Sequence, residues 1–118
     1  MERIDLSIKC LWGQYDLNIE FDDSIVNYKS FSNIDGFTSK EDKKESKEFK
    51  QLIDLAHIEK WESFNDLKIE DALEYNIKYL KDNHEYHFVI LEGNYPYGFD
   101  YFDKALSLID EDYSKLGR

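Results

Sequence analysis

The chain has 118 residues with 26 acidic and 15 basic side chains, a formal net charge of −11, and a single cysteine. That charge argues against nucleic acid or an anionic membrane as a direct ligand, since binding phosphate takes clustered Lys and Arg. The lone Cys10 rules out an internal disulfide. With 42% hydrophobic and 16% aromatic residues the chain is too rich in core formers to be disordered, and its length suits one domain over residues 1–118. No apolar run reaches membrane-spanning length and the first residues lack a signal-peptide pattern, so a cytoplasmic protein is expected. The Lys, Asn, Ile, Asp and Tyr content fits a bacterial or phage origin.

In chain order, Ile4, Leu6, Ile8, Cys10 and Trp12 alternate with mostly polar residues, the period of a half-buried strand. Tyr15, Leu17, Ile19 and Phe21 repeat the pattern, and Gly13-Gln14 between them suits a two-residue hairpin loop. Cys10, between Ile8 and Trp12 on the inward face, reads as a small core residue rather than a nucleophile. Asp22-Asp23-Ser24 turns the chain into a third strand over residues 25–31, and a loop with Asp35-Gly36 follows.

A helix is expected from Thr38 or Ser39, either of which can cap it. Its first half, with Lys40, Lys43, Lys44, Lys47 and Lys50 among Glu and Asp, reads as a solvated, ion-paired helix surface. Its second half gains an apolar face through Phe49, Leu52, Ile53 and Ala56, with Ile58, Trp61 and Phe64 either extending it or packing from a loop.

A second hairpin follows. Leu73, Tyr75, Ile77 and Tyr79 alternate with polar residues, Lys81-Asp82-Asn83 turns, and Tyr86, Phe88 and Ile90 oppose His87, Val89 and Leu91. Apolar residues on both faces suggest a central or doubly covered strand. After the loop Gly93–Gly98, a last helix is expected from Phe99 to Asp112 with Phe99, Phe102, Ala105, Leu106 and Ile109 inward. The resulting order β-β-β-α-β-β-α points to an α+β fold: an antiparallel sheet of about five strands with two helices on one face.

The stretch Ile69-Glu70-Asp71-Ala72-Leu73-Glu74-Tyr75, then a hairpin, Gly93-Asn94-Tyr95-Pro96 and an amphipathic helix, resembles the C-terminal half of small uncharacterised bacterial α+β domains. The resemblance spans residues 66–109. Ala72 stands where those domains carry Gly, and the loop motif is shorter. It implies an order of elements and carries no activity or site residue.

Motifs for chemistry are few. His84 and His87, three apart on a strand, point to opposite faces and do not converge on a metal. Asp22-Asp23-Ser24 and Asp110-Glu111-Asp112 lack calcium-loop spacing. The glycine loop lacks a phosphate-binding pattern. No cofactor, metal site or catalytic residue is expected, and a small hydrolase working through paired carboxylates ranks last.

The acidic residues carry the functional expectation. Residues 38–61 are neutral, with six acids and six bases, whereas residues 62–118 carry thirteen acids and six bases. On the last helix Asp100, Asp103, Asp110 and Glu111 fall opposite the core stripe, and acids at its C-terminal end oppose the helix dipole. Asp16, Glu20 and Asp22 line the outward face of the second strand. Tyr97 and Tyr101 lie beside the helix acids, and carboxylates mixed with Tyr suit Arg- and Lys-rich surfaces. These nine residues form the expected partner-binding set. A purely solvated acidic surface is the plain alternative. The expected function is a non-enzymatic inhibitor covering the basic nucleic-acid groove of a bacterial nuclease or nucleic-acid-guided effector, of the anti-CRISPR or toxin-immunity kind. A different class, an adaptor or assembly module using the open face of the sheet, stands beside it.

Overall fold

The computed structural model describes residues 1–34, 36–62 and 73–116. Strands β1 (Glu2–Cys10), β2 (Gly13–Phe21), β3 (Ile25–Ser32) and β4 (Thr38–Glu45) are followed by helix α1 (Lys47–Ala56). Strands β5 (Glu74–Lys81) and β6 (His84–Leu91) precede helices α2 (Phe99–Ile109) and α3 (Glu111–Ser114). All ladders are antiparallel, and the six strands run β4-β3-β2-β1-β5-β6. The α+β architecture is therefore as expected, with six strands in place of about five.

The inward sheet face is apolar at its centre. Ile4, Leu6 and Ile8 of β1, flanked by Leu17, Ile19 and Phe21 of β2 and by Tyr75, Ile77 and Tyr79 of β5, are buried. The helices cover that face: Phe49 of α1 packs edge-on to Phe21, and Phe99 of α2 packs edge-on to Tyr75. Burying each such side chain contributes about 1.5–3 kcal/mol.

The sixth strand corrects the helix expected at Thr38. Residues 38–45 pair with β3, and α1 starts only after Ser46. A helix over this stretch would stack Lys40 on Lys44 and Glu41 on Glu45 at i,i+4, both like-charged. In the sheet Glu41 instead sits opposite Lys29. As an edge strand, β4 is guarded by its charges. A two-fold pairing with a second β4 sets one residue opposite its own copy, and each of positions 40–45 is charged.

Two further expectations are corrected, and the end of α1, left open by the sequence, is fixed. The first hairpin turns at Leu11-Trp12, since Cys10 pairs with Gly13, and Trp12 is exposed rather than inward. Gly13 is needed because the loop after β3 lies against it: a Cβ there would sit 2.8 Å from Ile34 Cγ1. Strand β6 lies at a sheet edge rather than its centre. His57 ends α1 in a left-handed conformation, and a single 3-10 turn, Ile58–Lys60, leads to Trp61. Phe64 lies outside the described residues.

The last helix also differs from expectation. It breaks at Asp110, whose backbone is extended, and α3 begins at Glu111. The Asp110 carboxylate accepts the Asp112 N–H at 3.1 Å, so it caps α3. Glu111 and Asp112 thus occupy the favourable N-terminal turn of a new helix rather than the wrong end of an old one.

Buried tyrosines, Tyr15 and Tyr79 among them, limit the alkaline stability of the fold. Burial, and then the hydrogen bonds to Asp110 and Glu2, raise the Tyr15 and Tyr79 hydroxyls well above the usual value near 10. Unfolded, both ionise near pH 10; folded, both stay neutral. Their stabilisation is complete below pH 10 and falls above it by about 1.4 kcal/mol per pH unit for each. Urea unfolding between pH 9 and 11 should show stability falling above pH 10, and Tyr15→Phe should make that fall shallower. A flat profile would contradict the burial of these hydroxyls.

Candidate functional site

The site is built where α1 meets the start of α2. Gly98 precedes α2 with φ of 91°, and a Cβ on it would sit 2.4 Å from the Ala56 carbonyl oxygen. Only glycine allows this approach. The same carbonyl accepts the Trp61 indole N–H at 3.0 Å, and that N–H is shared with the Tyr97 carbonyl at 3.1 Å. The indole packs against Phe88, Phe99 and Phe102. Tyr95 stacks on Phe99 with centroids 4.5 Å apart.

The backbone of residues 95–98 is therefore tied to the core, yet the Tyr97 side chain is 94% exposed. Beside it, Tyr95–Tyr101 and Asp103 line a hollow of about 470 Å³. Asp103 accepts the Tyr113 hydroxyl at 2.6 Å, which ties α3 to α2. Asp100 is exposed and makes no ion pair among the described residues. The lining of the hollow holds two carboxylates, Asp100 and Asp103, and no Lys or Arg.

Four of the nine residues named from sequence, Tyr97, Tyr101, Asp100 and Asp103, thus share one concavity. The other five do not. Asp110 is 1% exposed and accepts the Tyr15 hydroxyl at 2.6 Å, so it is not on an exposed helix face. Glu111 is exposed but stands by Lys40, which lies 3.8 Å from Asp110 and Glu111 and 3.0 Å from Asp112. The bond to Asp112 raises the Lys40 pKa. Lys44 of the same strand donates to the Ile109 carbonyl at 2.9 Å, closing the end of α2.

Asp16 and Glu20 lie on the opposite face of the sheet, which no described helix covers. That face is close to charge-balanced: Arg3 bridges Asp5 at 3.1 Å and Glu20 at 3.0 Å, and Gln14 donates to Asp16 at 2.8 Å. Asp22 lies in the turn after β2, where the N–H groups of Ile25 and Ser24 hold its carboxyl below the usual carboxylate range.

Sequence reasoning missed Trp61 and Gly98. The one cue for Gly98 is its place immediately before an apolar-periodic stretch. Among the described residues no three His, Cys, Asp or Glu side chains gather as metal ligands, and no helix is long and apolar enough to cross a membrane.

The chain matches no protein-family model, no curated protein and no solved structure. The likeness of residues 66–109 to small bacterial domains therefore carries no family with it, and residues 66–72 of that stretch lie outside the described residues.

Proposed function

We propose that the chain is a non-enzymatic, protein-binding inhibitor that docks the Tyr97 hollow onto a basic surface. The partner is a bacterial nuclease or nucleic-acid-guided effector, in an anti-CRISPR-like or toxin-immunity-like setting in the cytoplasm, and the carboxylates stand in for phosphates. The observation that carries this reading is an almost fully exposed Tyr97 on a backbone fixed by Trp61, beside Asp100, which makes no ion pair among the described residues. Interfaces draw most of their energy from a few rigid aromatic anchors, and opposite charge around them speeds association and makes it salt-sensitive. Among the residues named from sequence, Tyr97, Tyr101, Asp100 and Asp103 carry the contact, and Glu111 stands apart from it beside Lys40. Asp110, Asp16, Glu20 and Asp22 serve the fold or the other sheet face.

The test is capture from bacterial lysate at low salt by the wild type and by Asp100→Lys, with proteins released by salt and identified. The expected result is a nuclease or nucleic-acid-binding complex held by the wild type, released at moderate salt and lost with Asp100→Lys. Equal retention by both proteins would overturn the reading.

One observation favours the adaptor alternative. Leu11, Trp12 and Phe37 are 72%, 62% and 74% exposed on turns at the same end of the sheet, and Phe37 packs edge-on to Phe31. A salt-insensitive self-association abolished by Trp12→Ser would favour assembly through that end.

A further inference from the structure

The hollow has a chemistry more specific than negative charge. It combines the phenol rings of Tyr97 and Tyr101 with the carboxylates of Asp100 and Asp103. The two acids are three residues apart on α2 and so share one side of the helix. The N-terminus of α2 adds about +0.5 charge close by, which two carboxylates outweigh. The hollow is therefore a shallow anionic site with aromatic walls, on a backbone held by Gly98 and Trp61 before any partner arrives.

Two cationic side chains could enter it, and they differ physically. A lysine ammonium is compact and strongly hydrated: it can meet a carboxylate or a ring face, but gains little from doing both. A guanidinium is flat and weakly hydrated. It can lie on a phenol ring and still present two N–H groups edge-on to a carboxylate. A site with Tyr rings and a carboxylate in one concavity favours the second.

We infer that the Tyr97 hollow receives an arginine side chain of the partner and discriminates it from lysine. This rests on the docking reading above and names what that surface recognises. The partner's basic face is then arginine-bearing at the point of contact, as expected of a surface built to grip phosphates bidentately. Asp100 supplies the carboxylate edge and Tyr97 the stacking face. Asp103, already holding the Tyr113 hydroxyl, adds a second carboxylate to the lining.

The experiment titrates the full chain with N-acetyl-arginine amide and, separately, N-acetyl-lysine amide, following Tyr ring and backbone amide resonances. The expected result is shifts confined to residues 95–103, with arginine amide binding at least about fivefold more tightly than lysine amide. Asp100→Asn, a change at an exposed position, should remove that preference. Equal response to the two amides, or shifts elsewhere, would overturn the inference. The two readings fail separately. Partner capture lost with Asp100→Lys but no arginine preference would sink the arginine site alone. Arginine preference with capture indifferent to Asp100→Lys would sink the docking function alone.

Discussion

Replacing Asp110 with alanine should lower stability by about 3 kcal/mol. The carboxylate receives a charge-assisted bond from the buried Tyr15 hydroxyl, worth about 1.5–3 kcal/mol, and caps α3, worth about 1 kcal/mol. Its loss also strands the Tyr15 hydroxyl and weakens the hold of Lys40 on the α2–α3 junction. At about 4 °C per kcal/mol for a domain of this size, the midpoint should fall by about 12 °C. Asp110→Asn keeps an acceptor and a cap and should lose about half as much. Adding Tyr15→Phe to Asp110→Ala should recover part of the loss, because the orphaned hydroxyl is removed with its partner. Thermal unfolding followed by circular dichroism measures all three. A stable Asp110→Ala would mean that this carboxylate is an ordinary surface group.

Gly98→Ala should be at least as damaging, at about 3 kcal/mol. A left-handed backbone costs a residue with a Cβ about 1–2 kcal/mol. The new methyl would also press on the Ala56 carbonyl oxygen at 2.4 Å, where a backbone atom cannot swing aside. Relief requires α1 and α2 to part, which disturbs both acceptors of the Trp61 indole. Denaturant unfolding followed by tryptophan emission reads both effects, because Trp61 is buried while Trp12 is exposed. An unchanged midpoint and emission would contradict the close approach of the two helices.

The difference between these two residues and Asp100 shows what the sequence makes legible. Alternating apolar residues such as Ile4, Leu6 and Ile8, or Tyr75, Ile77 and Tyr79, identify strands because a half-buried strand has a period of two. The face of α1 is legible in the same way from Phe49, Ile53 and Ala56. Strand β4 carries no apolar residue, so hydrophobic period is silent there. The remaining cue was charge: i,i+4 spacing in residues 40–45 pairs like with like, which disfavours a helix. The break at Asp110 was written in the same language. Asp followed by Glu and Asp is the signature of a helix start, and three acids at a supposed C-terminus were the contradiction that marked it.

The candidate site was legible only in part, for a related reason. Charge and helical spacing place Asp100, Asp103, Asp110 and Glu111 on one surface, but they do not reveal which carboxylate is spent on the fold. Asp110 serves Tyr15, ninety-five residues away in sequence, and Asp22 serves the turn that follows it. Arg3 neutralises Glu20 from the neighbouring strand. Pairings of that range depend on strand order, which local pattern does not encode. Of the four acids named first, Asp100 alone has no such pairing among the described residues, and it lies beside an exposed Tyr97.

The most direct measurement of the docking account is hydrogen exchange of this chain alone and in complex with the partner that it captures. The account predicts new protection over residues 95–103, weakening as salt is raised, with the open sheet face unchanged. Protection confined to the Leu11-Trp12 turn, or to the outward face of β1 and β2, would contradict it and assign the contact to the sheet instead.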